Sequence, residues 1–593
     1  MNFSSKKRDE EKLEALAGYP ELLRTLFLNR GIKNKEEADA FLQPDYERDI
    51  HDPFLLPDMG KAVERILEAI SQKQKIVIYS DYDADGIPGG VILHDFFQKI
   101  NYENFANYIP HRHMEGFGLN PEAIDKFKED KVDLIITVDC GVTDIKEVAR
   151  AKKYGIDVII TDHHEPGKLP KAVAVIDAKR EDSKYPFKEL CGAGVAYKLV
   201  QALLAKMKGS ECLFHLTQTN RSKDIPNPSS SGVLEVKDGW EKWLLDMVGI
   251  ATLSDMVPLV GENRALAYYG LKVLRKSPRV GLVKLLRLLK IEQTNLTEDD
   301  VGFSISPRIN AASRMGNPED AFKLFIARDE VEADISARHL DHINNERKGV
   351  VAGIVKEVRK IMKKRYDDGL AHKVIVIGNP EWKPSLLGLV ANSLVDDHDC
   401  PVFLWGRDGG NILKGSCRGD GCVSVFDLMT EMEKGIFIEF GGHDMSGGFS
   451  VVQEQIHLLE DKLQIAYEKV LIKGIIKKEE ILADAEISFD EVNLENYRLI
   501  EKLAPFGTGN PKPLFLFKKA VIENVKMFGK ETNHLELTFN NSRGRAVKAI
   551  GFFMKAGDLK KGDKIDLLAN FEKSTFRGFA ELRLRIADWE AAV

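Results

Sequence analysis

The stretch Lys75-Ile-Val-Ile-Tyr-Ser-Asp-Tyr-Asp-Ala-Asp-Gly86 decides the fold. A short apolar run meets an acid, and that acid opens an Asp-x-Asp-x-Asp triplet at Asp81, Asp83 and Asp85. The same grammar recurs twice. Val132-Asp-Leu-Ile-Ile-Thr-Val138 runs into Asp139, and Gly155-Ile-Asp-Val-Ile-Ile-Thr161 runs into Asp162, His163 and His164. Helical stretches at 91–100 and 144–153 separate the runs, and a fourth strand is expected at 172–176. Apolar strands that alternate with helices indicate a parallel sheet covered on both faces.

In an open parallel sheet, ligands bind beyond the carboxyl ends of the strands. Asp81, Asp83, Asp85, Asp139, Asp162, His163 and His164 are therefore expected to converge there. In extended chain, residues i, i+2 and i+4 point to one side, so the triplet presents its carboxylates together. Gly86 then allows a tight turn. Carboxylates crowded at one edge repel each other unless a cation sits among them. Oxygen ligands with an imidazole or two suit manganese or magnesium. A lone Asp after a strand is usually a helix cap or turn residue. Three in succession, one opening an Asp triplet and one an Asp-His-His, argue for chemistry.

Outward from this core the chain reads as several domains. At roughly 150 residues each, its 593 residues suggest about four. An N-terminal helical segment (1–50) is expected to pack on the strand–helix domain (51–330), which carries an aperiodic insertion at 208–236 with Pro226, Pro228 and three serines. A long helix follows (331–370). Between Arg347 and Arg365 it carries eight Lys/Arg and one acid, either a solvated face or a basic wall beside a polyanion. A second α/β segment (371–454) contains Lys414-Gly-Ser-Cys-Arg418 and a Gly-rich loop around His443. There Ser416 and Arg418 offer phosphate donors, and glycines permit close backbone approach. A linker helix (455–480) leads to five alternating strands, at 520–528, 534–539, 546–552, 564–571 and 580–587. They suggest a small barrel within 481–593.

The formal net charge of −7 weighs against a polyanionic partner only if charge is evenly spread. It is not: residues 517–593 hold 15 Lys/Arg against 10 Asp/Glu. With 44% hydrophobic and 30% charged residues, the composition excludes a disordered chain, a collagen or a disulfide miniprotein. The six cysteines form no C-x-x-C or zinc pattern and suit a reducing cytoplasm. No signal peptide and no run of ~20 apolar residues is read, so no membrane role is expected.

The ordered motifs carry a resemblance. SDYDADGI (80–87), YIPHRHMEGFGLN (108–120), TVDCGV (137–142), TDHHEPG (161–167), LCGAGVAY (190–197), LSDMVPLV (253–260) and PRINAASRMGN (307–317) stand in series. KGSCR (414–418), FGGH (440–443) and LAPFGTGNPKPL (503–514) follow. The series resembles the DHH phosphoesterase superfamily and, within it, the RecJ family of single-strand-specific exonucleases, from about residue 18 onward. The implied architecture is α/β and multidomain: a DHH parallel-sheet domain, a long connecting helix, a DHH-associated α/β domain and a C-terminal OB-type β-barrel. The implied activity is 5′-to-3′ hydrolysis of single-stranded DNA in repair and recombination, with two manganese or magnesium ions.

By motif, Asp85, Asp139, His163 and Asp255 are implied ligands of one ion. Asp83 and Asp139 would hold the other, with Asp81 a further participant. His164 would contact the scissile phosphate or position a ligand. Arg112, Arg308, Arg314, Ser416, Arg418, Gly441, Gly442 and His443 form the implied phosphate-binding set, with an interdomain salt bridge as the other reading of Arg308 and Arg314. Phe528, Phe571 and Phe576 are candidate stacking residues of the barrel. Asp255 is implied by the resemblance alone; its local sequence reads as a helix end. Single-strand binding protein and a helicase are the implied partners, and a monomer is expected. Two departures touch the expected site: Pro88 follows the Asp triplet, and residues 383–387 lack the family's His-Pro-Gly. Two competing functions are a phosphodiesterase of short oligoribonucleotides or cyclic dinucleotides and a non-catalytic nucleic-acid-binding scaffold.

Overall fold

A computed structural model describes residues 3–6, 9–208, 236–367, 372–407, 412–474, 482–529, 532–574 and 581–592. The body of the 208–236 insertion and Phe576 lie outside the described residues. The chain forms two compact units. The larger comprises Pro53–Asp255 and Val273–Glu479, the smaller Met1–Asp52, Met256–Lys272 and Glu480–Val593.

The larger unit contains two sheets. The first has strands β1 (Ile76–Ser80), β2 (Phe105–Tyr108), β3 (Leu134–Val138), β4 (Asp157–Thr161) and β5 (Ala174–Ile176). Their order is β2-β1-β3-β4-β5, all parallel. β1 and β3 are buried throughout, which explains their apolar sequence. β2 was not anticipated: it is four residues long and only partly buried. Ser80 pairs with Val138, Val138 with Thr161, and Thr161 with Ile176. The strands therefore end level, and Asp81, Asp139, Asp162 and Asp177 leave them as one row.

Helices α1 (Met59–Ser71), α2 (Gly86–Lys99), α3 (Gly192–Lys208) and α4 (Leu245–Ser254) belong to this layer. α2 begins at Gly86, five residues before the expected start at 91. Pro88 falls in its first turn, where a missing N–H is tolerated. At the far end of α3, Lys208 Nζ lies 2.6 Å from Asp238 Oδ1, so the ends of the insertion meet.

Helix α5 (Ser306–Met315) precedes α6 (Glu330–Asp367), a 38-residue helix whose buried stripe includes Ala333, Ala337, Leu340, Ile343 and Asn344. The second sheet contains β6 (Ile375–Gly378), β7 (Val402–Arg407), β8 (Ile412–Arg418), β9 (Phe437–His443) and β10 (Ser446–Val452), in the order β9-β10-β8-β7-β6. Helix α7 (Pro384–His398) packs on β7 and β8. The expected Gly-rich loop is instead a hairpin: Gly441 pairs with Gly448 and Gly442 with Gly447.

The smaller unit is built on a seven-stranded sheet. It contains β11 (Ala485–Glu486), β12 (Phe515–Val521), β13 (Asn524–Phe528), β14 (His534–Asn540), β15 (Ala546–Gly551), β16 (Lys564–Ser574) and β17 (Glu581–Ala591), in the order β11-β12-β16-β17-β15-β14-β13. The run read as one strand over 520–528 is two, separated at Ile522 and Glu523. The N-terminal helices share the barrel's core. Leu16, Leu23, Leu26 and Phe27 are buried in one cluster with Phe515, Phe517, Leu537 and Phe539. Residues 1–50, expected on the 51–330 domain, meet its 256–272 segment, where Arg264 Nε donates to the Phe41 carbonyl at 3.0 Å and the Tyr269 hydroxyl to the Pro44 carbonyl at 2.9 Å. Phe571 is also core, 5.1 Å from Phe515 between ring centres, and offers no stacking face.

Candidate metal centre

The level strand ends bring the expected acids together. Asp81, Asp85 and Asp139 are buried. Asp83 Oδ1 accepts hydrogen bonds from the Asp85 and Gly86 N–H groups at 2.8 and 3.1 Å, which shapes the triplet into a turn. The Asp85 carboxylate accepts the N–H groups of Gly192 and Ala193 at 2.6 and 2.7 Å, so the N-terminus of α3 holds it. Asp139 adopts a left-handed backbone, φ +62°. A Cβ on Gly192 would stand 2.5 Å from the Asp139 Cβ, so only glycine lets α3 start this close.

Asp255, at the C-terminal end of α4, completes the cluster, with Oδ2 3.7 Å from His163 Nε2. His163 Nε2 is also 3.1 Å from Asp139 Oδ1 and 3.7 Å from Asp85 Oδ2. Asp162 organises this set. It accepts the N–H groups of Val142, His163 and His164, and pairs with His164 Nδ1 at 2.7 Å.

The electrostatics are those of a site built around positive charge. Burial, then neighbouring carboxylates, pushes Asp81 and Asp139 well above the usual carboxylate range. The same causes lift Asp85 to about 7 and Asp255 to about 8. Burial and the charge of His164 push His163 down to about 4, which leaves it neutral, the form that ligates metal. Burial opposes charge on His164 too, but its bond to Asp162 and the carboxylates around it lift it to about 9.

Donor geometry agrees. Asp85, His163 and Asp255 present ligand atoms within 4.8 Å of one another, as do Asp81, Asp83 and Asp139, and as do Asp139, His163 and His164. Asp81 Oδ1 and Asp139 Oδ1 are buried without a hydrogen-bond partner. Unpaired buried carboxylate oxygens, a neutral imidazole and two overlapping oxygen-rich groups fit divalent cations of the manganese and magnesium type.

The phosphate-binding candidates separate. Arg112 lies over the Tyr82 ring, 4.8 Å from its centre. Arg314 Nη1 donates to the Ser385 carbonyl at 2.7 Å, and Ser385 Oγ donates to the Arg314 carbonyl at 2.9 Å. The sequence departure at 383–387 thus docks α7 onto α5. Arg308 donates to Asp341 at 2.7 and 3.0 Å and to the Ser304 carbonyl, the ion pair of its other reading.

Ser416, Arg418, Gly441 and His443 fall on one face of the second sheet. The register runs Ser416–Gly448–Gly441 and Arg418–Ser446–His443 across β8, β10 and β9. Gly442 has φ +147°, and a Cβ there would stand 2.3 Å from the Ser446 carbonyl oxygen. Asp255 was invisible to pattern reading because α4 is apolar and buried on nearly every side.

Fold and site together define a class, an α/β protein with a DHH-type carboxylate–histidine cradle. The family model for the DHH family, N-terminal domain, matches residues 75–221, and that for the RecJ OB domain matches residues 483–588. The chain is 30% identical to the single-stranded-DNA-specific exonuclease RecJ of Haemophilus influenzae, covering 92% of both chains. To the protein of that name from Bacillus subtilis it is 34% identical, over 95% of this chain and 67% of the other. A crystal structure of Thermus thermophilus RecJ with Mn2+ superposes with a TM-score of 0.78 at 25% identity, covering all of this chain and 79% of that one. A structure of exonuclease RecJ bound to manganese gives 0.55 at 30% identity, over 70% and 95% of the two chains. The chain belongs to the RecJ family.

Proposed function

We propose that this chain is a metal-dependent exonuclease that hydrolyses phosphodiester bonds of single-stranded DNA from the 5′ end, in DNA repair and recombination. The observation that carries the reading is the buried cradle in which two groups of ligand atoms share Asp139. Asp85, Asp139, His163 and Asp255 would hold one ion, and Asp83 and Asp139, with Asp81, would hold a second. Such ions supply Lewis acidity, lowering the pKa of a water and offsetting charge on the reacting phosphate.

The chain's own groups do the rest. Asp162 fixes the His164 ring, so His164 carries a proton and donates it in a hydrogen bond to a non-bridging phosphate oxygen. Asp85 is held rigid by the start of α3, which keeps the cradle's shape before substrate arrives. Arg112 and Arg314 bind the phosphate backbone. Ser416, Arg418, His443 and the Gly441–Gly442 backbone receive the 5′-terminal phosphate. The barrel contributes basic charge and the half-buried Phe528 as a stacking group.

The test is digestion of a 3′-labelled single-stranded oligonucleotide with manganese. Progressive shortening from the 5′ end is expected, slower for a 5′-hydroxyl than for a 5′-phosphate. No hydrolysis with either metal, or a preference for short oligoribonucleotides, overturns the reading.

A further inference from the structure

The basic residues of α6 are not equivalent. Lys356, Arg359, Lys360, Lys363 and Lys364 are exposed, and Arg359 and Arg365 pair with Asp397 and Glu460. These form the solvated face that a charge run usually is. Arg347 is different. The Arg308–Asp341 ion pair fixes which face of α6 meets α5. Residues three and six positions after Asp341 continue along that side. They are Asn344 and Arg347.

Asn344 is completely buried, yet neither its amide nitrogen nor its amide oxygen has a hydrogen-bond partner. The Nε of Arg347 is buried and unpartnered as well. Buried polar groups are nearly always satisfied, so orphaned atoms at two residues one turn apart point to an absent partner.

The local charge gives that partner's sign. Arg308 acts on Arg347 and Lys348, and Arg347 acts in turn on Arg314. Burial, with Arg112 and Arg347 nearby, pushes Arg314 down to about 10. Asp341 already serves Arg308. A trapped water would satisfy the amide but leave these cations unopposed; an anion does both.

We propose that Asn344 and Arg347 form a phosphate subsite beside Arg314 that takes a non-scissile phosphodiester of the bound single strand. The inference rests on the exonuclease reading and adds a backbone contact from α6 to it. The Arg347 guanidinium supplies forked donors, and the Asn344 amide nitrogen donates to the same group. The subsite carries no sequence information, since it reads only the backbone.

The experiment uses the full chain with manganese. Binding of a phosphorothioate-blocked single strand is followed by fluorescence anisotropy across a salt series, alongside steady-state digestion of the unblocked strand. Arg347→Ala should weaken binding about tenfold and lower the salt slope by about 0.7, the value for one lost phosphate contact on a single strand. The kinetic loss should fall on KM rather than kcat. Arg347→Lys should keep the slope and recover part of the affinity. A purely structural Arg347 would lower thermal stability and leave the slope at the wild-type value.

Asn344→Ala should raise KM in the same direction; should it fail to fold, the half-exposed Arg347 decides alone. Wild-type digestion with an unchanged KM and salt slope in Arg347→Ala overturns the subsite only. A wild-type chain that neither binds nor digests overturns the exonuclease reading and the subsite with it.

Discussion

The two sheets of the larger unit handle charge in opposite ways. At the carboxyl edge of β1, β3 and β4, acids are buried, and those at Asp81 and Asp139 keep oxygens without hydrogen-bond partners. On the β8–β10–β9 face, Ser416 and Arg418 are half-buried, Gly441 and His443 exposed, and the groups offered are donors. The first edge is strained by its own negative charge until a cation arrives. The second is comfortable in water and, in the proposed function, gains only when the 5′-phosphate docks. One region is preorganised by burial and backbone bonds, the other by strand register, so damage to each should read out differently.

The sharpest way to break the contrast is Asp139→Ala, which removes the carboxylate common to two ligand groups. Metal stabilisation of a phosphoryl transition state amounts to several kcal/mol, so hydrolysis should fall by roughly 10³-fold or more. Activity on single-stranded DNA checks this, and near-normal turnover would remove Asp139 from the chemistry.

The next effect concerns stability. Asp85 at about 7 and Asp255 at about 8 lie above the ~3.9 of an unfolded Asp. The metal-free folded chain therefore binds more protons than the unfolded chain between these values. Its stability is full below ~4 and declines as pH rises through about 7 and 8. Manganese should oppose that decline, since it takes the deprotonated ligands, and should add ~2.7 kcal/mol at 100 times its dissociation constant. Thermal melts from pH 5 to 8.5, with chelator and with manganese, measure both. Identical pH profiles would show that the cradle does not load.

The smallest effect belongs to the second sheet. Arg418→Ala should cost about tenfold in kcat/KM on a 5′-phosphorylated strand, the scale of a lost charged hydrogen bond. It should cost less on a 5′-hydroxyl strand and leave the manganese melting shift intact. Equal losses on the two substrates would separate the hairpin from the terminal phosphate.

These differences track what the sequence could disclose. The parallel sheet was legible because its strands are buried on both faces and so are apolar almost throughout, and because each central strand runs straight into an acid. β2 was not, being short and half-exposed. Asp255 carries no strand signal and sits on a helix end; only the ordered motif series reached it. The glycines at 440–448 read as a loop because glycine has little intrinsic strand preference. Pairing with β8 overrides that preference. Arg308 and Arg314 looked alike in sequence, yet Asp341, distant in the chain, gives Arg308 a structural partner.

The clasp between Lys208 and Asp238 has a consequence for how the protein tolerates change. α3 spans 17 residues, so its last turn stands ~25 Å from the glycine that touches Asp139. Lys208 and Asp238 are paired there, so the sequence between them joins the unit at a position a helix length from that glycine. That position is where a fluorophore, a tether or a further domain can be grafted while the cutting edge stays as it is.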